Sequence, residues 1–109
     1  MVHVLLTVLR NDRGMHFVYI MASRPGGALY VGETRDLSRR IDQHRSGHGS
    51  VHTAKYKNRT LVWYQAFEDS QQAKTFELRL KKWRRAWKDK LITDQNPDWR
   101  DLSATLGHL

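Results

Sequence analysis

Five side chains in this chain are of types that together could act on a phosphate ester: Tyr19, Tyr30, Arg40, His44 and Glu77. An arginine presents a planar fork of donors matched to phosphate oxygens. Phenol and imidazole hold or move protons, and a carboxylate is a hard ligand for a divalent cation. Cutting a phosphodiester needs a nucleophile, a base, charge stabilisation on the phosphorus oxygens and usually a metal ion. Arg40 and His44 are four residues apart, so on a helix they project together.

The flanking residues indicate how these groups are held. The β-branched and aromatic run 17–21 reads as a strand, Pro25-Gly26-Gly27 as a turn, and 28–31 as a second strand stopped at Gly32. So short a link predicts an antiparallel hairpin. A helix follows, capped by Asp36, with Leu37 and Ile41 as its apolar stripe and Gly47 as its stop. A third strand is expected over 61–67, with Leu61, Trp63, Gln65 and Phe67 on one face. Ser70 is the expected cap of the longest helix, in which Ala73, Phe76, Leu80, Trp83 and Trp87 form a single apolar face opposite a basic one. Glu77 lies one position off that stripe, at the edge of a core. Asn96 and Pro97 read as the cap and first residue of a final short helix that packs Trp99 and Leu102 back on the body. Beyond Ser103 there is no pattern. The order of elements predicts an α+β domain with a small three-stranded antiparallel sheet flanked by helices.

Composition narrows the partners. The chain has 109 residues, a formal charge of +8 and nineteen Lys and Arg against eleven Asp and Glu. Such a balance favours a polyanion, because each neutralised phosphate releases counterions. The absence of cysteine excludes disulfides and cysteine-bound zinc. No stretch approaches the ~20 apolar residues of a membrane span, and the apolar opening lacks the features of a signal peptide. A cytoplasmic protein without a membrane partner is expected. Residues 1–14 read as an N-terminal extension, either a loose arm or edge strand or the result of a misplaced start before Met15, which intact-mass measurement would decide. Residues 15–102 form the domain and 103–109 a tail.

Tyr19 at the end of Phe17-Val18-Tyr19, Tyr30-Val31-Gly32, Arg40, His44, Glu77 and Asn96-Pro97-Asp98-Trp99 occur in an order and spacing that resembles the GIY-YIG nuclease domain. The likeness covers roughly residues 15–102. It is greatest to the short single-domain bacterial type, related to the N-terminal endonuclease domain of the excision-repair incision subunit. Phe17-Val18-Tyr19 replaces Gly-Ile-Tyr but keeps the tyrosine. The resemblance implies a metal-dependent endonuclease that hydrolyses phosphodiester bonds, with DNA rather than RNA as substrate, structure-directed and serving repair or recombination. It further implies Glu77 as the ligand of Mg²⁺, with Mn²⁺ as a substitute, and Arg40 on the scissile phosphate. His44 would position water or bind phosphate. Either tyrosine serves as base in the family; Tyr19 is taken here, with Tyr30 orienting the nucleophile. Arg40 and a nearby metal ion would favour the Tyr19 phenolate, whose free pKa is ~10. No targeting domain accompanies these motifs, which leaves room for a protein partner.

The same residues have plainer readings. The tyrosines could be strand packing, Arg40 and His44 a solvated face, and Glu77 an ordinary i, i+4 partner of Lys81. Glu33 stands where the repair branch has a lysine, which supports the alternative of a non-catalytic nucleic-acid-binding module of the same fold. A repair-complex adaptor is a third reading. Lys55, Tyr56, Lys57 and Arg59 read as a nucleic-acid-facing loop or as a solvated connector. His48 and His52 with His44 are disfavoured as a zinc site, since Gly47 and Gly49 oppose a helix there and no fourth ligand is evident. The four tryptophans are placed as core rather than as a stacking platform.

Overall fold

A computed structural model describes residues 14–46 and 60–106. Strands β1 (His16–Ala22), β2 (Leu29–Thr34) and β3 (Thr60–Phe67) form one antiparallel sheet in the order β2-β1-β3. Helix α1 (Leu37–Arg45) follows β2; α2 (Ser70–Lys82), α3 (Arg85–Gln95) and a 3₁₀ helix (Leu102–Thr105) follow β3. The expected α+β architecture is the observed one. Gly47, the histidines at 48 and 52, and the basic loop residues Lys55, Tyr56, Lys57 and Arg59 lie outside the described residues, as do residues 1–13 and 107–109.

The central strand explains why residues 17–22 are apolar without alternation: β1 is covered on both faces. Phe17, Tyr19 and Met21 pack with Leu37 and Ile41 of α1 and with Leu61 and Leu106. Val18, Ile20 and Ala22 pack on the opposite face with Ala73 and Leu80 of α2 and Ile92 of α3. All six of these β1 side chains have 0% exposure. The hairpin turn closes with Gly27 N–H donating to Arg24 O at 2.8 Å, and Gly26 at φ 72° takes the left-handed position behind Pro25 that a type II turn requires. Asp36 caps α1 as expected, accepting from Arg39 N–H at 3.2 Å.

Four local expectations give way to tertiary structure. Strand β3 does not keep Leu61 and Trp63 on one face. Ile20 pairs with Trp63 and Met21 with Leu61, so Val62 is an extra residue, a bulge that turns Leu61 toward α1 and Trp63 toward α2. The cap of α2 is Asp69 rather than Ser70; its carboxylate accepts from Gln71 and Gln72 N–H at 2.6 and 3.2 Å and complements the positive helix end. The single long helix is two helices. Trp83 and Arg84 are extended, at ψ 150° and 151°, so the chain changes direction and buries Ile92 beside Leu80 while Trp87 is left 55% exposed. A straight helix would have carried Ile92 beyond the sheet, since each residue adds about 1.5 Å. Finally, Asn96 opens no helix but closes α3. Its buried amide donates to Val62 O at 3.0 Å and Arg100 O at 2.9 Å and accepts from Arg100 N–H at 3.0 Å. The bulge carbonyl therefore finds its partner from 34 residues away. The residues after Ser103, patternless in sequence, place Leu106 in the core at 3% exposure.

Candidate active site

Tyr19 and Gly32 are cross-strand partners in β1 and β2. A Cβ on Gly32 would stand 2.4 Å from the Tyr19 hydroxyl and 2.6 Å from its Cζ, so the ring lies directly over the glycine. Gly32 is a mid-strand residue, not the strand-ending turn expected from sequence, and its value is the space it leaves. Tyr30 projects to the same face, with ring centroids 6.2 Å from Tyr19. Helix α1 supplies His44, whose ring meets both phenols edge-on at 5.7 and 4.9 Å. His44 Nε2 is 3.0 Å from Tyr19 Oη.

His44 is 3% exposed, and burial, followed by the charge of Arg40, lowers its pKa to about 4. The imidazole is neutral near pH 7. Its buried Nδ1 has no hydrogen-bond partner. The Nε2–Oη pair therefore carries the ring's one hydrogen bond, with the tautomer deciding which partner donates. Arg40 faces the same tyrosine hydroxyl by charge and by hydrogen bonding, both of which favour the phenolate. Burial, reinforced by Tyr30, outweighs it, and the Tyr19 phenol is pushed well above its ordinary value. The arginine acts on Tyr19 in the direction expected from sequence, but full burial of the ring reverses the net effect. In the free protein Tyr19 is a protonated phenol with no access to solvent; Tyr30 is only partly buried.

Glu77 comes from the other side. Helix α2 packs on the face of the sheet opposite α1, against β1 and β2. Among the described strands β2 lies at the edge of the sheet, and the Glu77 charge is the last of the influences that raise the Tyr19 phenol. The i, i+4 pair with Lys81 read from sequence is present, but the carboxylate itself is buried: the residue is 4% exposed, with Lys74 Nζ 3.0 Å from Oε1 and Lys81 Nζ 3.1 Å from Oε2. Burying a carboxylate is costly without strong compensation, and both lysines are largely exposed. Oε1 receives no well-directed hydrogen bond. Lys74, expected from sequence only as part of the basic outer face although its i−3 spacing to Glu77 was available, is held above its ordinary pKa by Glu77 first, with Glu33 and Tyr30 acting in the same direction. Glu33 itself pairs with His16 at 3.2 Å.

An under-satisfied buried carboxylate oxygen suits a hard divalent ion. Among the described residues no three His, Asp or Glu form a metal cluster, so an ion at Glu77 would have one protein ligand and complete its shell with water and phosphate, as Mg²⁺ does. Four of the five singled-out side chains thus share one face of the hairpin, and the fifth comes from a helix on the opposite face of the sheet.

The profile of the GIY-YIG catalytic domain matches residues 15–90. The chain belongs to the GIY-YIG family. It is 33% identical to a UPF0213 protein of Bacillus pumilus over 83 residues, 76% of this chain and 84% of that one. It is 37% identical to a UPF0213 protein of Aeromonas hydrophila over 78 residues, which spans 72% of this chain but 57% of that longer relative. The solution NMR structure of a UPF0213 protein from Bacillus halodurans superposes with a TM-score of 0.51 at 31% identity, over 80% of this chain and 92% of the other. Membership places this GIY-YIG chain in a nuclease family of bacterial relatives. No helix among its described residues is long and apolar enough to cross a membrane.

Proposed function

We propose that this GIY-YIG chain is a metal-dependent endonuclease that hydrolyses phosphodiester bonds in DNA, structure-directed and serving repair or recombination. One observation carries the proposal: His44 Nε2 lies 3.0 Å from the buried Tyr19 hydroxyl, Tyr30 packs against both rings, and Arg40 faces the same hydroxyl. A set of groups that merely packs a sheet has no need to gather around one phenol.

In this reading Arg40 grips the scissile phosphate through its fork. Tyr30, the phenol with access, faces the nucleophile, while Tyr19 and neutral His44 form a fixed hydrogen-bonded support behind it. This assigns the contact with the nucleophile to the opposite tyrosine from the sequence reading, because a fully buried phenol with a raised pKa is a poor base. Glu77 would hold Mg²⁺, with Mn²⁺ as a substitute, and the ion would supply Lewis-acid stabilisation of charge developing on the phosphate. Lys74 and Lys81 neutralise the acid in the free protein; with an ion held at Glu77 their ammonium groups would be available to substrate oxygens.

The non-catalytic nucleic-acid-binding module keeps a specific observation in its favour, since the two lysines already pair with Glu77. Purified protein incubated with linear, flapped and branched DNA separates the two. Nicking that needs Mg²⁺ or Mn²⁺, stops with chelator and falls at least about 100-fold in Glu77→Gln and Arg40→Ala supports the enzyme. Tyr30→Phe should reduce the rate more than Tyr19→Phe. Salt-sensitive binding with no metal-dependent nicking supports the module.

A further inference from the structure

The break between α2 and α3 leaves an indole standing on a basic surface. Trp87 is 55% exposed although tryptophan is among the costliest side chains to leave in water. It is held from below by Trp83, edge-on at 6.2 Å, which itself rests on Phe76 at 6.0 Å. The Arg84 guanidinium sits 5.7 Å from the Trp87 ring centroid. Neither Arg84 nor Lys82 has a carboxylate partner among the described residues. The indole is therefore fixed in place, cation-flanked and more than half uncovered.

The patch is tied to the candidate site at two points. Lys81, at the end of the same helix, pairs with Glu77. Arg85 Nη2 donates to Gly27 O at 2.6 Å, which holds the start of α3 against the hairpin turn. Gly27 lies three residues before Tyr30, at most about 10 Å along an extended chain.

We infer that Trp87, with Arg84 and Lys82, is a stacking platform for an unpaired nucleobase, so that the favoured nucleic acid is splayed or single-stranded there. A base within a duplex is stacked on its neighbours and offers no face; an unpaired base offers a π-face to the indole and its phosphates to the flanking cations. This deepens the nuclease reading and rests on it only in taking nucleic acid as the partner.

The test uses tryptophan fluorescence of the whole chain in chelator, so that nothing is cut. Trp63 is buried at 1% exposure, and Trp83 and Trp99 are partly buried, so Trp87 is the most accessible reporter among them. Titration with an oligo-dT should quench the wild type, and Trp87→Phe should lose most of that quenching. Trp87→Ala should weaken oligo-dT binding roughly 5- to 100-fold, with less than about twofold change for a blunt duplex. Lys82→Ala with Arg84→Ala should make the salt dependence of oligo-dT binding shallower by about one unit of log–log slope. An oligo-rU of equal length distinguishes DNA from RNA; binding of either through Trp87 supports the platform. Undiminished quenching in Trp87→Phe overturns it, as does equal loss on both substrates in Trp87→Ala. Self-association of the wild type that Trp87→Ala abolishes, with oligo-dT binding unchanged, also overturns it and marks the indole as a protein contact. Duplex nicking without oligo-dT binding would defeat the platform alone, and Trp87-dependent binding without nicking would defeat the nuclease alone.

Discussion

At the residue scale, a missing side chain matters as much as those present. The Tyr19 ring occupies the space above Gly32, so any larger residue must push the phenol away from His44 and Arg40. Gly32→Ala should cost about 1–3 kcal/mol, the usual penalty for overpacking a closed core. Because the clash is with one ring, Tyr19→Ala should relieve it, and a double-mutant cycle by denaturant unfolding should give a coupling of at least about 1 kcal/mol. Additive effects would mean that the two residues do not share that space. His44 provides a pH signature. Its pKa is about 4 in the folded protein and 6.5 when unperturbed. Between those values the unfolded chain binds a proton that the folded one does not, so stability declines as pH falls from about 6.5 through 4. Asp101, held below its ordinary 3.8 despite burial by hydrogen bonds from Ser103 and by Arg45, adds its own loss at still lower pH. His44→Gln should flatten the unfolding free energy between pH 6.5 and 4; a slope equal to that of the wild type would contradict the buried neutral imidazole.

At the scale of elements, the α2–α3 junction is the informative one. No glycine or proline marks it, and Lys82-Trp83-Arg84-Arg85 would be tolerated in a continuous helix. The break is made by burial: it brings Ile92 against Leu80 and leaves Trp87 outside. Its backbone can be interrogated directly. Arg84 has φ −60°, the value a proline ring imposes, and Trp83 before it is extended as a residue preceding proline prefers. Arg84→Pro should therefore change stability by less than about 1 kcal/mol in thermal unfolding, whereas in an unbroken helix it would cost about 3 kcal/mol or more. The β3 bulge depends on contact in the same way, because Asn96 takes the Val62 carbonyl that the ladder releases.

For the whole molecule, charge and topology act together. With a net +8, affinity for duplex DNA should fall steeply with salt. Contact with three or four phosphates gives a log–log slope of about −3 to −4, readable by fluorescence anisotropy. A salt-independent affinity would separate the charge from binding. Topology places β2 at the edge of the described sheet, and the acid of a helix on one face adds to the burial that raises the Tyr19 phenol on the other.

Much of this was legible in the residues themselves: the hairpin with its Pro-Gly-Gly turn, the Asp36 cap, the buried stripe of Leu37 and Ile41, and the joint projection of Arg40 and His44. Each of these follows from neighbours within about four positions, where backbone geometry alone decides which side chains meet. The loss of accessibility at Tyr19, the two lysines closing on a buried Glu77, the bulge at Val62 and the turn of the chain at Trp83 were settled by contacts between distant segments. Burial decides a pKa or a change of strand face, and burial exists only once the sheet has both of its faces covered.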